Sequence, residues 1–105
     1  MNEKVNQIAK ELALQLKKSF KGFEGLYVFG SQINEKLSNG SDIDIVAIID
    51  AKDKKVRWAI WDIILRMEHE YNILFDLHPM TMEELKKNDV FYNEVVNKGV
   101  FYDAA

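Results

Sequence analysis

Apolar positions along the chain switch between two periods, and the switches mark its elements. Between residues 2 and 20, Val5, Ile8, Ala9, Leu12, Ala13 and Leu16 recur three and four apart among lysines and glutamates. That spacing predicts an amphipathic helix. The pattern ends near Phe20, where Gly22 and Gly25 break it. Residues 26–29 form a short apolar run and read as the first strand. In the polar stretch that follows, residues 33–37 read as a short helical turn and Asn39-Gly40 as a turn. From Asp42 to Ile49 the run is short, rich in β-branched residues and bounded by turn residues, so it reads as a buried strand. Ile43, Ile45, Ala47 and Ile49 form its apolar face, which is expected to meet the helices. Asp42, Asp44, Val46 and Ile48 share the other face.

After a polar loop at 50–55, residues 56–71 return to helical spacing. Val56, Ile60, Ile63, Ile64, Met67 and Tyr71 line one side, assigned to the core. At about 100° per residue, Trp58, Trp61 and Leu65 fall on the opposite side. A helix apolar on two sides is either sandwiched or offers a face to another chain, a second copy of this one included. Either the tryptophans fold over the domain's own edge, or they form a protein–protein interface, where tryptophan is enriched.

Residues 72–78 read as the third strand. Ile73, Phe75 and Leu77 share its core face, and Leu74, Asp76 and His78 the other. An aspartate inside an otherwise apolar strand needs a partner or a role. His78 precedes Pro79, the only proline, and reads as a strand-end or loop residue. Thr81-Met82-Glu83-Glu84 fits a capping box opening a further helix, broken near Asn88-Asp89. Gly99 reads as a helix C-cap, and Val100-Phe101-Tyr102 as a short edge strand.

The chain has 105 residues, 48% of them apolar and 30% charged, with net charge −3. One globular domain over 1–105 accounts for that. The net charge argues against a nucleic-acid backbone as main partner, and the small lysine groups read as solvated faces. No cysteine is present, which excludes disulfides and thiolate metal sites and fits the cytoplasm. The N-terminal stretch has no apolar signal core and no apolar run approaches ~18 residues, so no membrane association is expected.

Chemistry concentrates at residues 30–50. Asp42 and Asp44 leave one face of the second strand roughly 6.5–7 Å apart at Cα. Two such carboxylates can hold one divalent cation, or two about 3.5–4 Å apart; the alternative is a solvated strand end. Gly30 lets backbone N–H groups approach a phosphate, and the Ser31 hydroxyl adds a donor. A phosphate cradle followed by paired aspartates suits phosphoryl or nucleotidyl transfer.

Phe29-Gly30-Ser31 and Ser41-Asp42-Ile43-Asp44 resemble the signature of the DNA polymerase beta-like nucleotidyltransferases. Their spacing is similar to that of the minimal nucleotidyltransferases, the MNT antitoxin-type domains, and the resemblance covers most of the chain. It implies an α+β nucleotidyltransferase fold, a small mixed β-sheet with helices packed on one face. It implies catalysis and Mg²⁺ binding by Asp42, Asp44 and a third carboxylate from a neighbouring strand, for which Asp76 has the right context. Gly30, Ser31 and Ser41 would bind the nucleotide. The implied reaction transfers AMP from ATP, the nucleoside triphosphate substrate, to a hydroxyl of a partner protein. In the resembled family that partner is a HEPN toxin, and Trp58, Trp61 and Leu65 are the candidate partner interface. The chain departs from the family in one respect. Residues 32–36 read Gln-Ile-Asn-Glu-Lys, with no arginine to grip the triphosphate bidentately. A second reading follows: an antitoxin that acts by binding alone. Transfer to a small molecule is a weaker third, because no acceptor domain is evident.

Overall fold

The computed structural model describes residues 3–30, 42–50 and 54–103. Element order is α1 (Glu3–Ser19), β1 (Phe23–Phe29), β2 (Asp42–Ile49), α2 (Lys54–Tyr71), β3 (Leu74–Met80), α3 (Met82–Lys86), α4 (Asp89–Tyr92), a π-helical turn at Asn93–Asn97, and β4 (Val100–Asp103). The strands form one sheet in the order β3-β2-β1-β4. β1 pairs antiparallel with β2 and β4, while β3 runs parallel to β2. The result is a mixed α+β sheet, as expected.

Its core sits where the periodicity puts it. Val5, Ile8, Leu12 and Leu16 of α1 and Ile60, Ile63, Ile64 and Met67 of α2 bury against Ile43, Ile45, Ala47 and Ile49 of β2 and Phe75 and Leu77 of β3. Burying each such side chain stabilises the fold by about 1.5–3 kcal/mol, so the β2 register is strongly specified. The other face carries a smaller cluster: Val46 and Ile48 of β2 meet Leu85 of α3 and Val95 of the π-helical turn. The C-terminal helical segment therefore covers the β2 segment beyond Asp44 and leaves the aspartate end open.

Several boundaries differ from the sequence reading. β1 starts at Phe23, three residues early, because Gly25 lies inside the strand with φ +146° and the Phe101 ring over it. A register shift lies between Phe23 and Gly25. Asn72 adopts a left-handed φ of 53° and ends α2, so β3 starts later and runs on through Pro79 to Met80. β3 is an edge strand, where a missing N–H is tolerated. Gly99 is not a left-handed cap. A Cβ there would collide with the Val95 carbonyl and stand 2.8 Å from that of Val28, so glycine permits close backbone packing. The helical turn at 33–37 falls outside the described residues. The capping box forms in full: the Glu84 N–H donates to Thr81 Oγ1 (3.1 Å), and the Thr81 N–H to Glu84 Oε1 (3.0 Å). Asn88 caps α4 through the Phe91 N–H at 3.0 Å, marking the expected break.

Candidate active site

Strand pairing brings the acidic residues together. Asp44 is flanked in register by Phe29 of β1 on one side and by Asp76 of β3 on the other. Neighbouring strands lie about 4.8 Å apart, and period-2 alternation puts Asp44 and Asp76 on the same face. That face is the one opposite α1 and α2. Asp42 lies two residues before Asp44, on the same face and exposed.

The electrostatics are those of like charges crowded together. The Asp44 carboxyl is held above its ordinary pKa, first by burial. The charge of Asp76 raises it further, as do a side-chain hydrogen bond with Asp76 and the charge of Asp42; His78 acts in the opposite sense. A cation placed between carboxylates crowded in this way would offset their like charge. His78 Nε2 lies 3.2 Å from Asp76 Oδ1, and both side chains are about half exposed.

Gly30 ends β1 beside this pair. Its φ is +84°, a region that disfavours side chains. A Cβ there would stand 2.5 Å from Asp44 Oδ2. The loop after β1 thus starts in contact with the Asp44 carboxylate. Ser31 and Ser41 lie outside the described residues.

An aromatic wall closes the side towards the C-terminal helices. Phe91 of α4 meets Phe29 edge-on (centroids 5.5 Å, 90°) and His78 nearly so (6.2 Å, 80°). Sequence reasoning missed this wall; it put His78 on the face of Asp76, as found, but near the strand end, whereas β3 runs on through Pro79 to Met80. Nothing in the sequence separates Phe91 from an ordinary core residue.

Among the described residues, no three Asp, Glu, His or Cys side chains converge into a preformed metal cage. A magnesium ion does not need one, since it keeps several waters and is held by one or two carboxylates plus substrate phosphates. The all-oxygen donor pair of Asp44 and Asp76, with Asp42 at its margin, fits that demand.

Two other surfaces lie away from the carboxylates. Trp58, Trp61 and Leu65 are 76%, 46% and 62% exposed on the outer side of α2, so they are not folded over the domain's edge. A groove of about 680 Å³ runs between α1 and β4, lined by Asn6, Lys10, Leu14 and Lys17 among others. It borders the edge of the sheet opposite β3 and does not involve the acidic row. No described helix is long and apolar enough to cross a membrane.

The family model for the nucleotidyltransferase domain matches residues 9–102. The chain belongs to that family. This nucleotidyltransferase domain has no match among curated protein sequences. Its fold recurs in solved structures. A Shewanella oneidensis protein is 23% identical with a TM-score of 0.57, over 91% of this chain and 70% of that one. A chain of the tri-AMPylated Shewanella oneidensis HEPN toxin in complex with MNT antitoxin is 21% identical with a TM-score of 0.58, over 90% and 69%. A toxin–antitoxin crystal structure with AMP-PNP is 21% identical with a TM-score of 0.60, over 88% and 70%. At this level of identity the likeness speaks for the fold of the nucleotidyltransferase domain.

Proposed function

We propose that this domain transfers AMP from magnesium-bound ATP to a hydroxyl of a partner protein, as the antitoxin of a HEPN/MNT-type pair. The observation that carries the reading is the pairing of Asp44 with Asp76 directly beside Gly30. The similar structures lend support, since one contains an AMPylated toxin with an MNT antitoxin and another contains AMP-PNP.

Asp44 and Asp76, with Asp42 at the margin, would hold the Mg²⁺ of the bound nucleotide. The ion, when present, offsets the charge developing on the transferring phosphorus. Gly30 and Ser31 would grip the triphosphate through backbone N–H groups and a hydroxyl, and Ser41 would add to the nucleotide site. Asp76 orients the acceptor hydroxyl and takes its proton. The acceptor oxygen bonds to the α-phosphorus, the bond to the β-phosphate bridging oxygen breaks, and pyrophosphate leaves. The acceptor is brought by the partner, which docks on the outer face of α2 at Trp58, Trp61 and Leu65. A cytoplasmic location fits the absence of cysteine.

One sequence feature favours a second reading, an antitoxin that binds its partner but transfers weakly. Residues 32–36 carry only Lys36 as a base, a point charge where a guanidinium fork would grip phosphate bidentately. Incubation with labelled ATP, Mg²⁺ and the product of the neighbouring gene separates the two. Label on the neighbour that disappears with Asp44→Asn supports the transferase. Tight binding without label supports the binding module.

A further inference from the structure

The acidic pair is tied to its surroundings by one side chain that the transfer scheme leaves unused. His78 shares the face of Asp76 two residues on, and its Nε2 lies 3.2 Å from Asp76 Oδ1. Its ring meets Phe91 at 6.2 Å and 80°. Phe91 in turn packs edge-on against Phe29, the β1 residue in register with Asp44. The contacts run from Asp44 to Asp76, His78, Phe91 and Phe29, and back to Asp44 through strand pairing. Residues of four elements, β1, β2, β3 and α4, thus surround the Asp76 carboxylate and the imidazole beside it.

We propose that His78 is a positioning residue for Asp76. Nε2 stands 3.2 Å from Oδ1, and an N–H donated across that distance would fix the rotation of the carboxylate. The second oxygen of Asp76 is then left, together with Asp44, to take a divalent cation. The Phe91 ring packs nearly edge-on against the imidazole, and that contact favours the orientation in which Nε2 faces Asp76. An exposed aspartate with no such donor would rotate freely and lose side-chain entropy on binding an ion. Partners that orient a ligating carboxylate typically contribute 10–100-fold to metal affinity. The proposal rests on the metal-site reading above, and the test separates the two.

Mn²⁺ serves as the probe, because it suits carboxylate and water ligands and can be counted by its spin resonance. Two full-chain variants divide the roles of the ring. His78→Phe keeps an aromatic ring against Phe91 and removes the donor; His78→Gln keeps a donor at the Nε2 position and removes the ring. Positioning predicts Mn²⁺ affinity weakened about 10-fold or more in His78→Phe and close to wild type in His78→Gln. In the metal-free protein at alkaline pH, imidazole ¹⁵N spectra should show His78 as the Nε2–H tautomer, and Asp76→Ala should shift that signal. Wild-type affinity in His78→Phe overturns the proposal, as does an equal loss in both variants. If the wild type takes up Mn²⁺ and His78→Phe matches it, His78 alone has been misassigned. If the wild type takes up none, the metal site itself fails and this inference with it.

Discussion

Gly30 and Asp44 touch across the β1–β2 pairing, so closely that a methyl group on Gly30 would stand 2.5 Å from Asp44 Oδ2. The contact ties the start of the polar loop to the acidic row. It predicts a double penalty for Gly30→Ala. The left-handed φ of +84° strains alanine by about 1–2 kcal/mol, and the new methyl turns the Asp44 carboxylate away from Asp76. Thermal melting should show a Tm lower by about 4–8 °C per kcal/mol lost. The rise in Tm that Mg²⁺ and ATP are expected to give in wild type by mass action should vanish. A variant that melts lower but keeps the nucleotide-dependent rise would detach Gly30 from the site.

Asp44 carries a cost that pH reveals. Its folded pKa lies above the usual 3.8, through burial and then Asp76. The unfolded chain gives up this proton more easily, so the fold is favoured when the carboxyl is protonated. The penalty grows as pH rises from 3.8 towards the raised folded value and stays constant above it. Asp44→Asn should therefore raise the Tm by a few degrees at pH 7 in EDTA. The gain should fade as pH falls from the raised value towards 3.8 and be absent below it. Chemical denaturation of both proteins across that range checks the sign.

The face behind the site depends on one helix start. Thr81 and Glu84 form a reciprocal capping box that opens α3, whose Leu85 is fully buried under Val46 and Ile48. Thr81→Ala should cost about 1 kcal/mol and lower the Tm accordingly. Mn²⁺ binding at Asp44 and Asp76 should be unchanged once the protein is folded.

Function and stability should separate on α2. Trp58 is 76% exposed, so Trp58→Ala should leave folding stability within about 0.5 kcal/mol. If this face docks the partner, Trp58→Ala and Trp61→Ala should each weaken that complex by about 2 kcal/mol, roughly 30-fold. Calorimetry with the product of the neighbouring gene reads this directly. Undiminished binding by both variants would move the interface elsewhere.

The features most legible in the sequence were those set by strict periodicity. Alternation along β2 put Ile43, Ile45, Ala47 and Ile49 inside and both aspartates on the opposite face, as found. Helical spacing correctly assigned α1 and the two-sided character of α2. The readings that went astray involved residues whose local preference the tertiary context overrides. Gly25 reads as a breaker, yet lies in a strand because the Phe101 ring takes the space of its missing side chain. His78 reads as a strand-end or loop residue because proline follows, but on an edge strand Pro79 costs little, and the strand continues to Met80. Within the site, Asp44 and Asp76 could be paired only by assuming that their strands are neighbours, which the sequence does not state. The aromatic wall of Phe29 and Phe91 depends on where a short C-terminal helix docks, and no local pattern encodes that.

The most direct test is a crystal structure with Mn²⁺ and a non-hydrolysable ATP analogue, read by the anomalous signal of the metal. The account predicts one Mn²⁺ bonded to a carboxylate oxygen of Asp44 and one of Asp76, with the analogue's phosphates on the same ion beside Gly30. Nucleotide bound elsewhere, or a metal that touches neither aspartate, would contradict it.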